Sequence, residues 1–268
     1  MLRILLPTDF SDRSLNAAAC AVDLFGADGN QFTLLHVSMV AGMTDPMVPM
    51  DISAINNVNE QDLAHFEERL RAKRDLAGAR IDRVISFGLL SVAVHEAARE
   101  NRSDLIVMAS AGDESPALFG SNTTSVIQGA STPVLEIPDH SGKLEFKKIL
   151  FADDRSAVEE SALRMLAVIV KRCNAQLVVA HIATGRAHSD QVDNSGLYKK
   201  MFGAANMKEV VVEDNDVEGA LFSVSAEEQV DMIALLHRHT KLFTGLIKPS
   251  TTKRVALHSN IPVLALEQ

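Results

Sequence analysis

Ile4-Leu5-Leu6-Pro7-Thr8-Asp9-Phe10-Ser11, near the start of the chain, returns in its middle as Ile149-Leu150-Phe151-Ala152-Asp153-Asp154-Arg155-Ser156. The same offset carries Leu35-His36-Val37 onto Ala180-His181-Ile182, so the register runs ungapped across that span. Further on, Asp104-Leu105-Ile106-Val107-Met108 matches Asp231-Met232-Ile233-Ala234-Leu235, and Thr132-Pro133-Val134-Leu135 matches Ile261-Pro262-Val263-Leu264, at a smaller offset. One unit is written twice, and self-similarity of this kind settles architecture before any single element is assigned. The first copy carries extra residues, which fit within 38–59. With Met39, Met43, Met47 and Met50 among Pro, Gly and Asp, that stretch reads as a mobile loop whose methionines fill gaps against the domain.

Working outward from the repeat, short apolar runs at 4–6, 32–36, 83–85, 105–108 and 134–137 have the character of buried strands. Between them, 14–25, 61–77, 92–100 and 123–129 space their apolar residues three and four apart, as amphipathic helices do. The second copy repeats the strands at 149–152, 177–181, 209–212, 232–236 and 263–266. Strand, helix, strand in succession gives a doubly wound α/β unit, a five-stranded parallel sheet flanked by helices and joined by right-handed crossovers. The expected domains are 1–138 and 146–268, with the acidic, polar 139–145 as linker.

Composition sets further bounds. The 268 residues, 47% hydrophobic and 23% charged, suffice for two cores of ordinary size. A formal net charge of −9 excludes a broad nucleic-acid footprint, which needs clustered Lys and Arg. Cys20 and Cys173 lie in helical stretches without metal or disulfide spacing and read as packing residues in a reducing compartment. Met1 runs into Leu2-Arg3-Ile4-Leu5-Leu6-Pro7, too short for the apolar region of a signal peptide, and no segment approaches the roughly 20 apolar residues of a membrane span. The expectation is a cytoplasmic protein with no membrane and no nucleic-acid partner.

In doubly wound sheets, ligands bind outside the carboxyl ends of the strands where strand order reverses. After the first strand come Pro7-Thr8-Asp9-Phe10-Ser11; after the fourth come Met108-Ala109-Ser110-Ala111-Gly112, then Gly120-Ser121-Asn122-Thr123-Thr124-Ser125 opening a helix. Glycine lets the backbone approach an anion closely, and the free amides and dipole of a helix start favour negative charge. Ser121, Thr123 and Thr124 add hydroxyl donors. The same residues would also serve as a plain helix cap.

Pro7-Thr8-Asp9-Phe10-Ser11, Leu34-Leu35-His36-Val37, Ser103-Asp104-Leu105-Ile106-Val107-Met108 and Ser131-Thr132-Pro133-Val134-Leu135 together resemble the universal stress protein family, over nearly the whole chain and twice. The resemblance implies tandem domains of the adenine nucleotide alpha hydrolase-like, Rossmann-like type, and a stress-response role. It also implies two branches. One binds ATP through G-x-x-G, nine residues, then G-[S/T]; the other lacks that motif and binds no ATP. Carried over, the first branch places Pro7, Thr8, Asp9 and Val37 at the adenine and ribose. Met108, Ala109, Gly112, Gly120, Ser121, Asn122 and Thr123 then surround the phosphates of ATP or AMP, with Mg2+ accompanying the nucleotide.

Each copy departs from that motif differently. The first reads Ala109-x-x-Gly112, seven residues, Gly120-Ser121, two residues short and with Ala for the first Gly. Alanine is costly there if the turn is left-handed. The second keeps the spacing but fills it with Leu236-His237-Arg238-His239 and Pro249-Ser250, with no motif glycine. Around Ser250, Thr251 and Thr252 it offers His237, Arg238, His239, Lys241 and Lys248 instead, either a different anion site or a solvated basic loop.

Asp153 and Asp154 stand where the first copy has Thr8 and Asp9; their extra charge repels phosphate but suits ribose hydroxyls. His36 and His181, equivalent at a strand end, read as a repeated structural device such as a hydrogen bond to backbone. His237 and His239 lack carboxylate or cysteine partners at ligand spacing, so no metal site is expected. No nucleophile, base and orienting group converge, so any hydrolysis is at most weak. Two readings stay open: an adenine-nucleotide module with a degenerate second half, or an interaction protein without nucleotide. The family pairs domains through the fifth strand, so 132–137 and 261–266 are edges in need of a partner. The two copies can supply it to each other, with homodimerisation open as well.

Overall fold

The computed structural model describes residues 1–38, 52–110, 120–139, 144–184, 191–237, 255 and 259–268. They cluster into two compact units, one built on Met1–Thr132, the other on Pro133–Pro138 and Lys143–Gln268.

The first unit runs β1 (Arg3–Thr8), α1 (Asp12–Phe25), β2 (Gln31–Ser38), α2 (Ile52–Lys73), β3 (Arg80–Phe87), α3 (Leu90–Glu100), β4 (Leu105–Ala109) and α4 (Gly120–Gly129). Its strands order as β3-β2-β1-β4. β1 pairs in parallel with β2 from Arg3↔Gln31 to Thr8↔His36, and with β4 at Ile4↔Leu105 and Leu5↔Ile106. Parallel strands covered by helices on both faces read as continuous apolar runs, and here Leu5, Phe32, Leu34, Leu105 and Ile106 are fully buried. α1 starts where Ser11 accepts from the Ser14 amide at 3.2 Å.

The second unit runs β5 (Val134–Ile137), β6 (Lys148–Ala152), α5 (Arg164–Cys173), β7 (Gln176–Ala183), α6 (Ser195–Phe202), β8 (Met207–Glu213), α7 (Val217–Glu228), β9 (Met232–His237) and β10 (Val263–Glu267). Its strands order as β5-β10-β9-β6-β7-β8. β6, β7, β8, β9 and β10 pair in parallel, while β5 runs antiparallel to β10 through Val263↔Glu136, Leu264↔Leu135 and Ala265↔Val134. The two runs expected to be needy edges therefore cover each other.

The expected loop over 38–59 is corrected at its end: α2 begins at Ile52, well before the anticipated start at 61. The buried stripe of that helix is Asn59, Leu63, Phe66 and Leu70, spaced four, three and four. Its first member is polar, so counting apolar residues starts the helix too late. Residues 39–51, with Met39, Met43, Met47 and Met50, lie outside the described residues. Cys20 is buried and Cys173 half-buried, where burial pushes its thiol up.

Candidate functional site

Strand order in the first unit reverses between β1 and β4: the chain leaves β1 toward β2 and β3 and returns to β4 on the other side. Because β1 and β4 are parallel, Thr8 and Ala109 close the same end of the sheet. Thr8 is buried, its hydroxyl paired with Ser14 Oγ at 2.9 Å and accepting from the Phe10 amide at 2.9 Å. Asp9 is exposed; its Oδ1 accepts from the Ser11 hydroxyl at 2.5 Å and the Ser11 amide at 3.1 Å. Partial burial raises the Asp9 carboxyl, but those hydrogen bonds outweigh it and hold the group below its ordinary range. Pro7 sits opposite Leu35, and Val37 is half-buried on β2. Met108 is buried and Ala109 half-buried at the end of β4.

Gly120, Ser121 and Asn122 form the first turn of α4. The next residue, Thr123, is buried, and its hydroxyl approaches the Ala109 carbonyl at 3.5 Å. This contact seats the start of α4 on the end of β4. Gly112 lies outside the described residues.

Both histidines at the strand ends hold backbone, as their repetition suggested: His36 Nδ1 donates to the Thr8 carbonyl at 3.0 Å, and His181 Nδ1 to the Asp153 carbonyl at 2.9 Å. The copies part company one step later. Phe10 and Arg155, at equivalent positions, share a left-handed backbone with φ of 65° and 54°. The Phe10 ring stacks on His36, centroids 4.3 Å apart, and meets Phe66 edge-on. Arg155 brings no ring, and a cavity of about 480 Å³ lies between β6, β7, β8 and α6. Asp153, His181, Asn194 and Tyr198 line it from buried positions, with Arg155 and Lys199 toward its mouth.

In the second unit Asp153 Oδ1 accepts from the Arg155 amide at 2.9 Å, and Asp154 Oδ1 from the Ser156 amide at 3.0 Å. Burial, with the Asp154 charge adding to it, pushes the Asp153 carboxyl above its ordinary range. His237 is not on a solvated loop; it is the buried last residue of β9, opposite Glu267 of β10. Arg238, His239, Ser250 and Thr251 lie outside the described residues.

The family model for universal stress proteins matches residues 1–138 and again 145–267. The chain belongs to the universal stress protein family. A universal stress protein from Archaeoglobus fulgidus is similar over 99% of this chain and 96% of its own, at 19% identity and a TM-score of 0.74. A protein of unknown function from Pseudomonas aeruginosa PAO1 matches over 99% and 92%, at 14% identity and a TM-score of 0.60. A universal stress protein solved in complex with cAMP matches over 53% of this chain and 98% of its own, at 20% identity and a TM-score of 0.41. At their identities the first two likenesses carry the fold alone. The comparison with curated proteins gave no match. No helix among the described residues is long and apolar enough to cross a membrane.

Of the residues that line the second-unit cavity, sequence reasoning singled out Asp153 and His181 but passed over Arg155, Asn194 and Tyr198, of which the family pattern says nothing. The replacement of Phe10 by Arg155 at the shared offset was the visible signal. So was Tyr198, the chain's single tyrosine.

Proposed function

We propose that this universal stress protein is a binding module of the stress response whose first unit holds an adenine nucleotide, ATP or AMP, across the carboxyl ends of β1 and β4. The observation that carries the reading is the seating of α4: Thr123 against the Ala109 carbonyl brings the Gly120-Ser121-Asn122 turn to the strand-order reversal. A helix start at that place presents free amides and a positive dipole end to phosphate. Asp9, exposed and held ionised, serves as acceptor for ribose hydroxyls on the other side of the reversal. Mg2+ would travel with the phosphates. Pro7, Thr8 and Val37 contribute shape and backbone, since the Thr8 hydroxyl is committed within the turn.

That commitment favours a second reading, an interaction protein that takes no nucleotide, because two of the polar side chains at the reversal already have protein partners. Isothermal titration of nucleotide-stripped protein with ATP and AMP separates the two. Saturable binding of about one equivalent, lost in Gly120→Asp, supports the nucleotide site; no heat at millimolar ATP leaves the interaction reading standing. A carboxylate at position 120 would face the phosphates and repel them.

A further inference from the structure

We infer that the cavity between α6 and the β6, β7 and β8 strands is a second, separate ligand site, built for a small zwitterion of the amino-acid class. It goes beyond the nucleotide reading and does not depend on it. Strand order in the second unit reverses between β6 and β9, and no residue of β9 lines this cavity, which opens on the opposite side of β6. At about 480 Å³ it falls within the usual range for small-molecule sites.

Its chemistry is graded from inside to outside. The deep wall carries the Tyr198 side chain, 2% exposed, whose buried hydroxyl lies beside the Asp153 carboxyl and Asn194 without closing a well-formed hydrogen bond to either. A buried polar group so weakly paired gains from a closer partner. Beside it lies the buried Asp153 carboxyl, with Oδ1 on the Arg155 amide. Burial and the Asp153 charge push the Tyr198 phenol upward, so it stays a neutral hydroxyl. His181 donates through Nδ1 to the Asp153 carbonyl, which leaves Nε2 as the ring nitrogen available to a ligand. Carboxylate, phenol oxygen and imidazole nitrogen together suit an ammonium group. Farther out, Arg155 is half-buried and Lys199 exposed, cations placed for a carboxylate. The exposed Asp193 and Glu209 also border the mouth, and disfavour ligands that bring two negative charges. Val179 and Val192 leave apolar wall for a side chain. The equivalent of Arg155 in the first unit is Phe10, whose ring lies on the equivalent histidine, so the site belongs to the second unit by sequence.

The test is calorimetric titration of the full-length protein with L-lysine, L-arginine and L-glutamine, with agmatine, which lacks the carboxylate, and adenosine as comparators. The expected result is saturable binding of at least one amino acid, with agmatine and adenosine at least about tenfold weaker. Tyr198→Phe should weaken binding about tenfold or more, the usual loss for a hydrogen bond to a charged group. Since the phenol closes no well-formed hydrogen bond without ligand, this variant should change the melting temperature little, which separates lost recognition from lost folding. Arg155→Phe, restoring the first-unit residue, should abolish binding. No saturable binding of any of the three at about 10 mM overturns the proposal. Binding indifferent to both variants overturns the site, and tighter binding of adenosine through Tyr198 overturns the ligand class.

Discussion

Phe10 and Arg155 occupy the same left-handed turn of the two copies, yet one stacks a ring on the strand-end histidine and the other borders a cavity. An L-residue in this conformation costs of order 1 kcal/mol, and Phe10 offsets that through its contacts with His36 and Phe66. Phe10→Ala should therefore lower stability by about 1–2 kcal/mol. Arg155→Gly removes the backbone cost without losing an aromatic contact and should be neutral or raise stability by up to about 1 kcal/mol. Urea unfolding of both variants checks the pair; equal losses would show that the ring contributes nothing.

Glu136 gives the fold a pH dependence. It lies on β5 opposite Val263, buried, with Oε2 unpaired, and burial pushes its carboxyl up to about 8 from an ordinary 4.5. The native state thus keeps its proton at pH values where the unfolded chain has lost it. Stability contributed through this group is full below about 4.5, falls as pH rises through the window to about 8, and is lost above it. Glu136→Gln should flatten that slope and leave the protein more stable by a few kcal/mol at pH 9. Melting temperatures from pH 5 to 9 decide it; parallel slopes in wild type and variant would place the dependence elsewhere.

Asp104 and Asp231 hold the first strand of each copy by the same device. Asp104 Oδ2 accepts from the Arg3 amide at 2.8 Å, and Asp231 Oδ2 accepts from both the Lys147 and Lys148 amides at 2.7 and 2.8 Å. Hydrogen bonds to a charged acceptor contribute more than neutral ones. Asp104→Ala should cost about 1–2 kcal/mol and Asp231→Ala about 2–3 kcal/mol, with any binding at the two proposed sites unchanged. Amide exchange at Arg3, Lys147 and Lys148 should quicken in step. Unaltered exchange would show that these carboxylates only decorate the turn.

The repeat, the strand runs and the turn after each first strand were legible in the chain because they are local. A run such as Leu105-Ile106-Val107-Met108 is apolar for the reason that it is covered on both faces, and that pattern survives in one dimension. The paired histidines were legible too, since His36 and His181 recur at one offset and perform one task. Where α2 begins was not, because its buried stripe opens on Asn59, whose burial depends on what it packs against. Nor was the second-unit cavity. Arg155, His181 and Tyr198 are separated along the chain and meet only after β7 and α6 have been laid against β6. Whether a ring or a void stands beside a histidine is decided by which side chains converge from several elements. Local pattern therefore specifies the scaffold, while the room left inside it is a property of the packed unit.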